Sequence, residues 1–227
     1  MKELKLSTKG AELIKFYEIM ATEGFHRTDG TKVPAEFAYN SFQLKKFRHL
    51  CKGYFFSNKI STVLDYGGGG SDWNASNFDD TNAMSAKQFF NVASVCNFEP
   101  ARGLKQKIIS DAVVCMDVLE HIFIEDIPNV LGELFSLATK LLVVNVACYK
   151  AAALLPNGDN AHITVRSPDW WKGAIDIVSA NYPNVQVLLI CSTQFNKGVV
   201  YEPYKFKDWM LSESFEVQSR FQKFSMT

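Results

Sequence analysis

The chain has 227 residues, with 24 basic and 24 acidic side chains, so its formal charge is zero. That balance removes the electrostatic footprint of a dedicated nucleic-acid binder, while 47% hydrophobic content supplies the apolar side chains for a full globular core. No stretch approaches membrane-spanning length and the opening MKELKLSTKGAEL carries no signal-peptide core, which points to a cytoplasmic protein with no membrane partner. The five cysteines share no CxxC spacing, and Cys96, Cys115, Cys148 and Cys191 fall in apolar, strand-like runs. Reduced thiols acting as small hydrophobes are the expectation.

Residues 8–23 place Leu13, Ile14, Phe16, Tyr17 and Met20 at helical spacing, with Gly24 as a stop. Residues 25–39 read as polar and irregular. A second helix over 41–56 carries Phe42, Leu44, Phe47, Leu50 and Cys51 on one face. The two helices predict an N-terminal helical cap over residues 1–57, ahead of a main domain at 58–227.

From residue 60 strands and helices alternate, the pattern of a parallel, doubly wound α/β sheet. Strands are predicted at 62–66, 93–98, 112–119 and 141–148. Helices are predicted at 82–93, 127–139 and 168–180, the last opened by Ser167-Pro168. Two final strands at 185–191 and 198–204 are close enough to form an antiparallel pair. The total is six or seven strands.

Two segments carry chemistry. Gly67 to Gly70 follow the first core strand, where glycine lets the chain turn sharply and lets a ligand approach backbone N–H groups. Asp65, two positions earlier, can hold a cationic or hydroxylated part of that ligand. A dinucleotide loop needs G-x-G-x-x-G, but the third glycine would fall on Asp72 or Trp73, which disfavours such a cofactor. Asp117, Glu120 and His121 are spaced i, i+3, i+4 and converge if the strand end turns into a helix. His121 and His162 are both predicted at the carboxyl ends of adjacent core strands, where open α/β sheets bind ligands.

Together VLDYGGGGSDW and DAVVCMDVLEHI resemble the cofactor half of a class I S-adenosylmethionine-dependent methyltransferase, Asp65-Tyr66-Gly67-Gly68-Gly69 standing as its D-x-G-x-G motif. The later segment LPNGDNAH, followed by Trp170-Trp171, resembles one bacterial and phage branch of these enzymes. The resemblance covers roughly residues 60–180 and implies a Rossmann-like fold. It implies that Asp65, Gly67, Gly68 and Gly69 hold the methionine part of the cofactor, that Glu99 accepts hydrogen bonds from both ribose hydroxyls, and that Asp117 borders the same site. Only residues 100–110 separate Glu99 from the next strand, where the family usually has a further helix and strand, so that unit is expected to be missing.

Relatives with an E-x-x-E-H segment, the ubiquinone-pathway O-methyltransferases and the small-RNA 2′-O-methyltransferases, hold a divalent ion there, and the RNA enzymes add a second histidine. By that resemblance Asp117, Glu120, His121 and His162 are candidate ligands for Mg²⁺, Mn²⁺, Fe²⁺ or Zn²⁺, with Asp117 standing where the relatives have Glu. The nitrogen ligands argue against a pure Mg²⁺ preference. The implied activity is methyl transfer from S-adenosylmethionine to a hydroxyl of a small-molecule or sugar acceptor, with His162 as base and His121 and Glu120 beside it. Two other readings stay open: a metal-dependent RNA 2′-O-methyltransferase, and a non-catalytic cofactor-binding partner protein. Trp170 is a candidate to stack on a substrate ring.

Overall fold

The structure, a computed structural model, describes residues 5–39, 43–81 and 83–204, with backbone only at 202–204. In chain order it has α1 (Thr8–Glu23), a short hairpin of β1 (Phe25–His26) and β2 (Lys32–Val33), α2 (Gln43–Lys46), α3 (Arg48–Ser57) and β3 (Thr62–Tyr66). Then come α4 (Ala86–Phe90), β4 (Ser94–Phe98), β5 (Ser110–Met116), α5 (Ile127–Leu137), β6 (Ala138–Ala147), α6 (Pro168–Ser179), β7 (Gln186–Gln194) and β8 (Lys197–Tyr204).

Six strands form one sheet in the order β4-β3-β5-β6-β7-β8. All neighbours run parallel except β8, which returns antiparallel along β7. This is the α/β, Rossmann-like, doubly wound architecture that the alternating pattern predicts. From β3 the chain steps outward to β4, then crosses back to β5 on β3's other side. The gap between the ends of β3 and β5 is therefore the topological switch point, where a crevice opens above the strands.

Alternation along the strands sorts the core into two layers. Leu64, Val113, Val144 and Leu189 point to one face and pack with α5 and α6 through Leu131, Leu134, Phe135, Trp171 and Ile175. Val63, Val114, Val143 and Ile190 point to the other and pack with Leu44, Phe47, Cys51, Phe55, Phe89 and Phe90 from α2, α3 and α4. Each such side chain, fully buried, contributes about 1.5–3 kcal/mol. A boundary at residue 57 would therefore divide a packed layer, because α2 and α3 cover a sheet face. Only α1 and the hairpin lie outside that layer, and they join the loop after β6 in a third cluster built on Leu13, Met20, Leu155 and Ala161.

Local departures from the predicted elements have local causes. The helix expected over 41–56 breaks at Phe47, whose backbone (φ −108°, ψ 12°) separates α2 from α3. The helix expected over 82–93 shrinks to α4, started by a Ser85/Gln88 capping box and stopped by Asn91 in the left-handed region. The strand expected to reach residue 119 stops at Met116, because Asp117 takes φ 62°. Helix α5 runs into β6 with no loop between them. The β1–β2 hairpin lies in a stretch that reads as irregular, since two-residue strands are too short to show a period. Between β4 and β5 the chain makes one 3-10 turn, Pro100–Arg102, and the further helix and strand that the family usually has are missing there, as the short spacing predicts. All five cysteines are free, and no helix of the described residues is long and apolar enough to cross a membrane.

Candidate functional site

At the switch point lies a cavity of about 1370 Å³. The glycine loop (Gly67, Gly68, Gly69) and Glu99 line it on the β3–β4 side, and Asp117, His121 and His162 line it on the β5–β6 side. One face of α1 roofs it through Gly10, Leu13, Ile14 and Tyr17, the i, i+3, i+4, i+7 spacing of a helical stripe.

The loop is glycine-rich for reasons internal to the protein. Gly67 (φ +74°) and Gly69 (φ +57°) occupy the left-handed region. A Cβ on Gly67 would meet Val118 Cγ2 at 2.5 Å, one on Gly68 would meet Asp65 Oδ2 at 2.5 Å, and one on Gly69 would meet the Tyr39 carbonyl at 2.8 Å. Three loop amides are already engaged: Gly67 N–H donates to Phe98 O at 2.7 Å, Gly69 N–H to Glu99 Oε2 at 2.9 Å and Gly70 N–H to Tyr39 O at 2.9 Å. The expectation of a bare amide cradle is thereby corrected, because neighbouring strands and Tyr39 satisfy these donors first.

Asp65 lines the cavity and is also bonded within the protein. It is buried beneath the loop, where its Oδ2 accepts the Trp73 indole N–H at 2.7 Å. Burial pushes its carboxyl up to about 6. It holds the loop in shape and faces Trp73. Glu99 sits at the end of β4 beside β3, as expected, with Tyr66 registered on Phe98. Its Oε1 accepts Ala101 N–H at 3.2 Å, and burial raises its pKa against the pull of that amide and the Gly69 amide. Each oxygen retains a further acceptor site.

The second acidic and imidazole group is only partly as expected. Asp117 is left-handed and residues Leu119–His121 form a 3-10 turn, so the i, i+3, i+4 helical face does not form. Instead Glu120, His121 and His162 come together, one ligating atom of each within 4.8 Å of the others. Asp117 stays outside that triangle and borders the cavity beside Glu120. Glu120 is fully buried below the cavity wall; its Oε1 accepts Ala147 N–H at 2.6 Å, and its carboxyl faces that of Asp117 closely enough to share a proton. Burial, and then the neighbouring Asp117 carboxylate, hold the Glu120 carboxyl well above the usual range.

The imidazole tautomers follow from their partners. His121 Nδ1 lies 2.9 Å from Ala161 O, and His162 Nδ1 bonds to Tyr149 O. A carbonyl only accepts, so both Nδ1 atoms carry the proton and both Nε2 atoms keep a lone pair. The rings meet edge to face at 4.8 Å. Burial and the adjacent His162 lower the His121 pKa to about 4. Tyr17 Oη, 2.7 Å from His121 Nδ1, also donates to Ala161 O at 3.0 Å, and so ties α1 to the site.

The LPNGDNAH segment proves to be the scaffold for His162. Gly158 (φ +87°) closes a turn, and Asn160 clamps the loop: its Oδ1 accepts from Ala151 N and His162 N while its Nδ2 donates to Ala151 O. Trp171 is buried in the core, and Trp170 packs on the same cluster without lining the cavity, so the substrate-stacking expectation is not met. Sequence reading missed Tyr17, Tyr39 and Tyr149 as cavity residues. Tyr17 lies on the correct helical face, but no local signal connects that face to His121, 104 residues away.

No family model, curated protein or solved structure matches the chain.

Proposed function

We propose that this protein is an S-adenosylmethionine-dependent methyltransferase acting on a hydroxyl of a small-molecule or sugar acceptor. The observation that carries the reading is a single cavity at the switch point, with the glycine loop and Glu99 on one wall and the His121/His162 pair on the other. Bound S-adenosylmethionine would supply a methyl group activated by a sulfonium centre. The free acceptor sites on Glu99 suit a vicinal diol such as ribose. The protein's own task is to align the hydroxyl with the methyl group and to keep water out. His162, with Nδ1 engaged by Tyr149 O and Nε2 left to face the cavity, is placed to take the hydroxyl proton. His121, held at a low pKa and tied to Tyr17, supports it from behind.

Isothermal calorimetry tests the reading: S-adenosylmethionine or S-adenosylhomocysteine should bind with a dissociation constant on the order of micromolar, about −8 kcal/mol. Absence of binding of both to folded protein would overturn it.

A second, metal-assisted reading is favoured by one specific observation. Two Nδ1-tethered imidazoles and the buried Glu120 carboxyl each place a ligating atom within 4.8 Å of the others, and tethering of Nδ1 is the outer-sphere arrangement that orients metal-bound histidines. Such a site would favour Mn²⁺, Fe²⁺ or Zn²⁺ over Mg²⁺. Elemental analysis of purified protein should then find about one ion per chain, lost in His162→Ala; wild type that stays metal-free after incubation with each ion would remove this reading.

A further inference from the structure

We propose that two copies of this chain associate through β4, whose free edge pairs antiparallel with the same strand of the second copy about a two-fold axis at Cys96. The association is independent of the reaction chemistry. β4 ends the sheet, and among the described residues no strand lies on its outer side. The chain passes from β4 through the turn Pro100–Arg102 to β5 without adding one.

The two edges of the sheet are built differently. β8, the far edge, carries Lys197, Glu202 and Pro203, and its pairing with β7 shifts register twice. Charge, proline and bulges are the devices that stop an edge strand from recruiting another chain. β4 reads Ser94-Val95-Cys96-Asn97-Phe98, with no charge and no proline, and it pairs with β3 along its whole length without a break. A chain of zero formal charge also adds no long-range repulsion between copies.

Hydrogen-bond direction fixes the register. Phe98 O accepts from Gly67 N–H, and Ser94 N–H donates to Ser61 O, so Ser94, Cys96 and Phe98 turn their main-chain groups toward β3. By alternation Val95 and Asn97 turn theirs outward. Beyond them Glu99 N–H donates to Leu104 O and Ala93 N–H to Ser61 O, so neither donor extends the free edge. The two free residues are symmetric about Cys96. Pairing each with the second copy's other one, Val95 opposite Asn97, satisfies both N–H and both C=O groups of each strand. Cys96 then faces the second copy's Cys96 at a non-hydrogen-bonded position, with Cα atoms about 4.5 Å apart and both side chains on one face. Half-buried Val95 and Leu104, the latter 44% exposed and bridged to Glu99, supply apolar surface beside the strand. That surface is small, which places the pair among weak, reversible dimers.

Sedimentation equilibrium of the whole chain should show one chain passing to two with a dissociation constant on the order of 10–100 µM. Val95→Pro removes an outward donor that the single chain does not use, and Cys96→Lys sets two like charges face to face. Each should weaken the dimer at least ~10-fold and leave the circular dichroism spectrum unchanged. Diamide, which takes up the two thiol hydrogens and is reduced to the hydrazine, should join wild-type chains through a Cys96–Cys96 disulfide that Cys96→Ser cannot form. A protein that stays a single chain at about 1 mM, as it would if its own residues covered β4, overturns the proposal. So does a dimer that Val95→Pro leaves intact, or an equal disulfide yield in Cys96→Ser, since either places the contact elsewhere.

Discussion

Asp65 illustrates how one buried side chain couples the loop to pH. Its carboxyl accepts from Trp73 and is raised from 3.8 to about 6 by burial. The folded state therefore holds this proton more tightly than the unfolded chain. The contribution is fully present below about pH 4 and is lost as pH rises through about 6. Asp65→Asn keeps an acceptor for the indole and cannot ionise. Urea unfolding at pH 4 to 7 should show the variant gaining on wild type by on the order of 2–3 kcal/mol across that window, then holding level. A constant difference at every pH would mean that Asp65 does not carry the linkage.

At the scale of the element, the glycine loop links β3 to the cavity by packing as much as by conformation. Gly69 and Gly158 both have positive φ, but of the two only Gly69 has a neighbour within reach of a new Cβ, the backbone carbonyl of Tyr39 at 2.8 Å. Gly158→Ala should cost about 1–2 kcal/mol for the left-handed backbone alone. Gly69→Ala should cost about 2–4 kcal/mol, since the backbone must also shift. Thermal unfolding of the two variants side by side measures the difference; equal losses would show that Tyr39 does not crowd the loop. Helix α1 is a comparable case, fixed at its start by Ser7, whose N–H and Oγ both donate to buried Asp126 at 2.7 and 2.8 Å. That tether, the Tyr17–His121 contact and the packing of Leu13 and Met20 on Leu155 and Ala161 hold the helix over the cavity.

For the whole molecule, the consequence is that the N-terminal region cannot be detached. Leu44, Phe47, Cys51 and Phe55 are 0–1% exposed and cover Val63, Val114 and Val143 of the sheet. A chain beginning at residue 58 would keep Phe89 and Phe90 but open the part of the sheet face that α2 and α3 cover, and several lost side chains at about 1.5–3 kcal/mol each are large against a total stability of about 5–15 kcal/mol. Such a fragment should lack a cooperative thermal transition by circular dichroism, and a sharp one near the wild-type midpoint would refute this packing account.

The sequence by itself determined the sheet and its winding. The runs that became β3, β5, β6 and β7 are apolar on both faces, and this composition leaves a buried parallel strand as the stable outcome. It also determined that Glu99 would stand beside the glycine loop, because a carboxylate directly after a strand next to β3 has little freedom to go elsewhere. Only tertiary structure decided which acids and histidines meet. Asp117 turns left-handed and leaves the triangle, Glu120 is fully buried within 4.8 Å of the two histidines, and Asp65 bonds to Trp73. Tyr17 reaches His121 across 104 residues, and Asn160 sets the loop that delivers His162. Local pattern encodes which face of an element is apolar, whereas the convergence of polar groups depends on how distant elements compete to satisfy the same donors and acceptors.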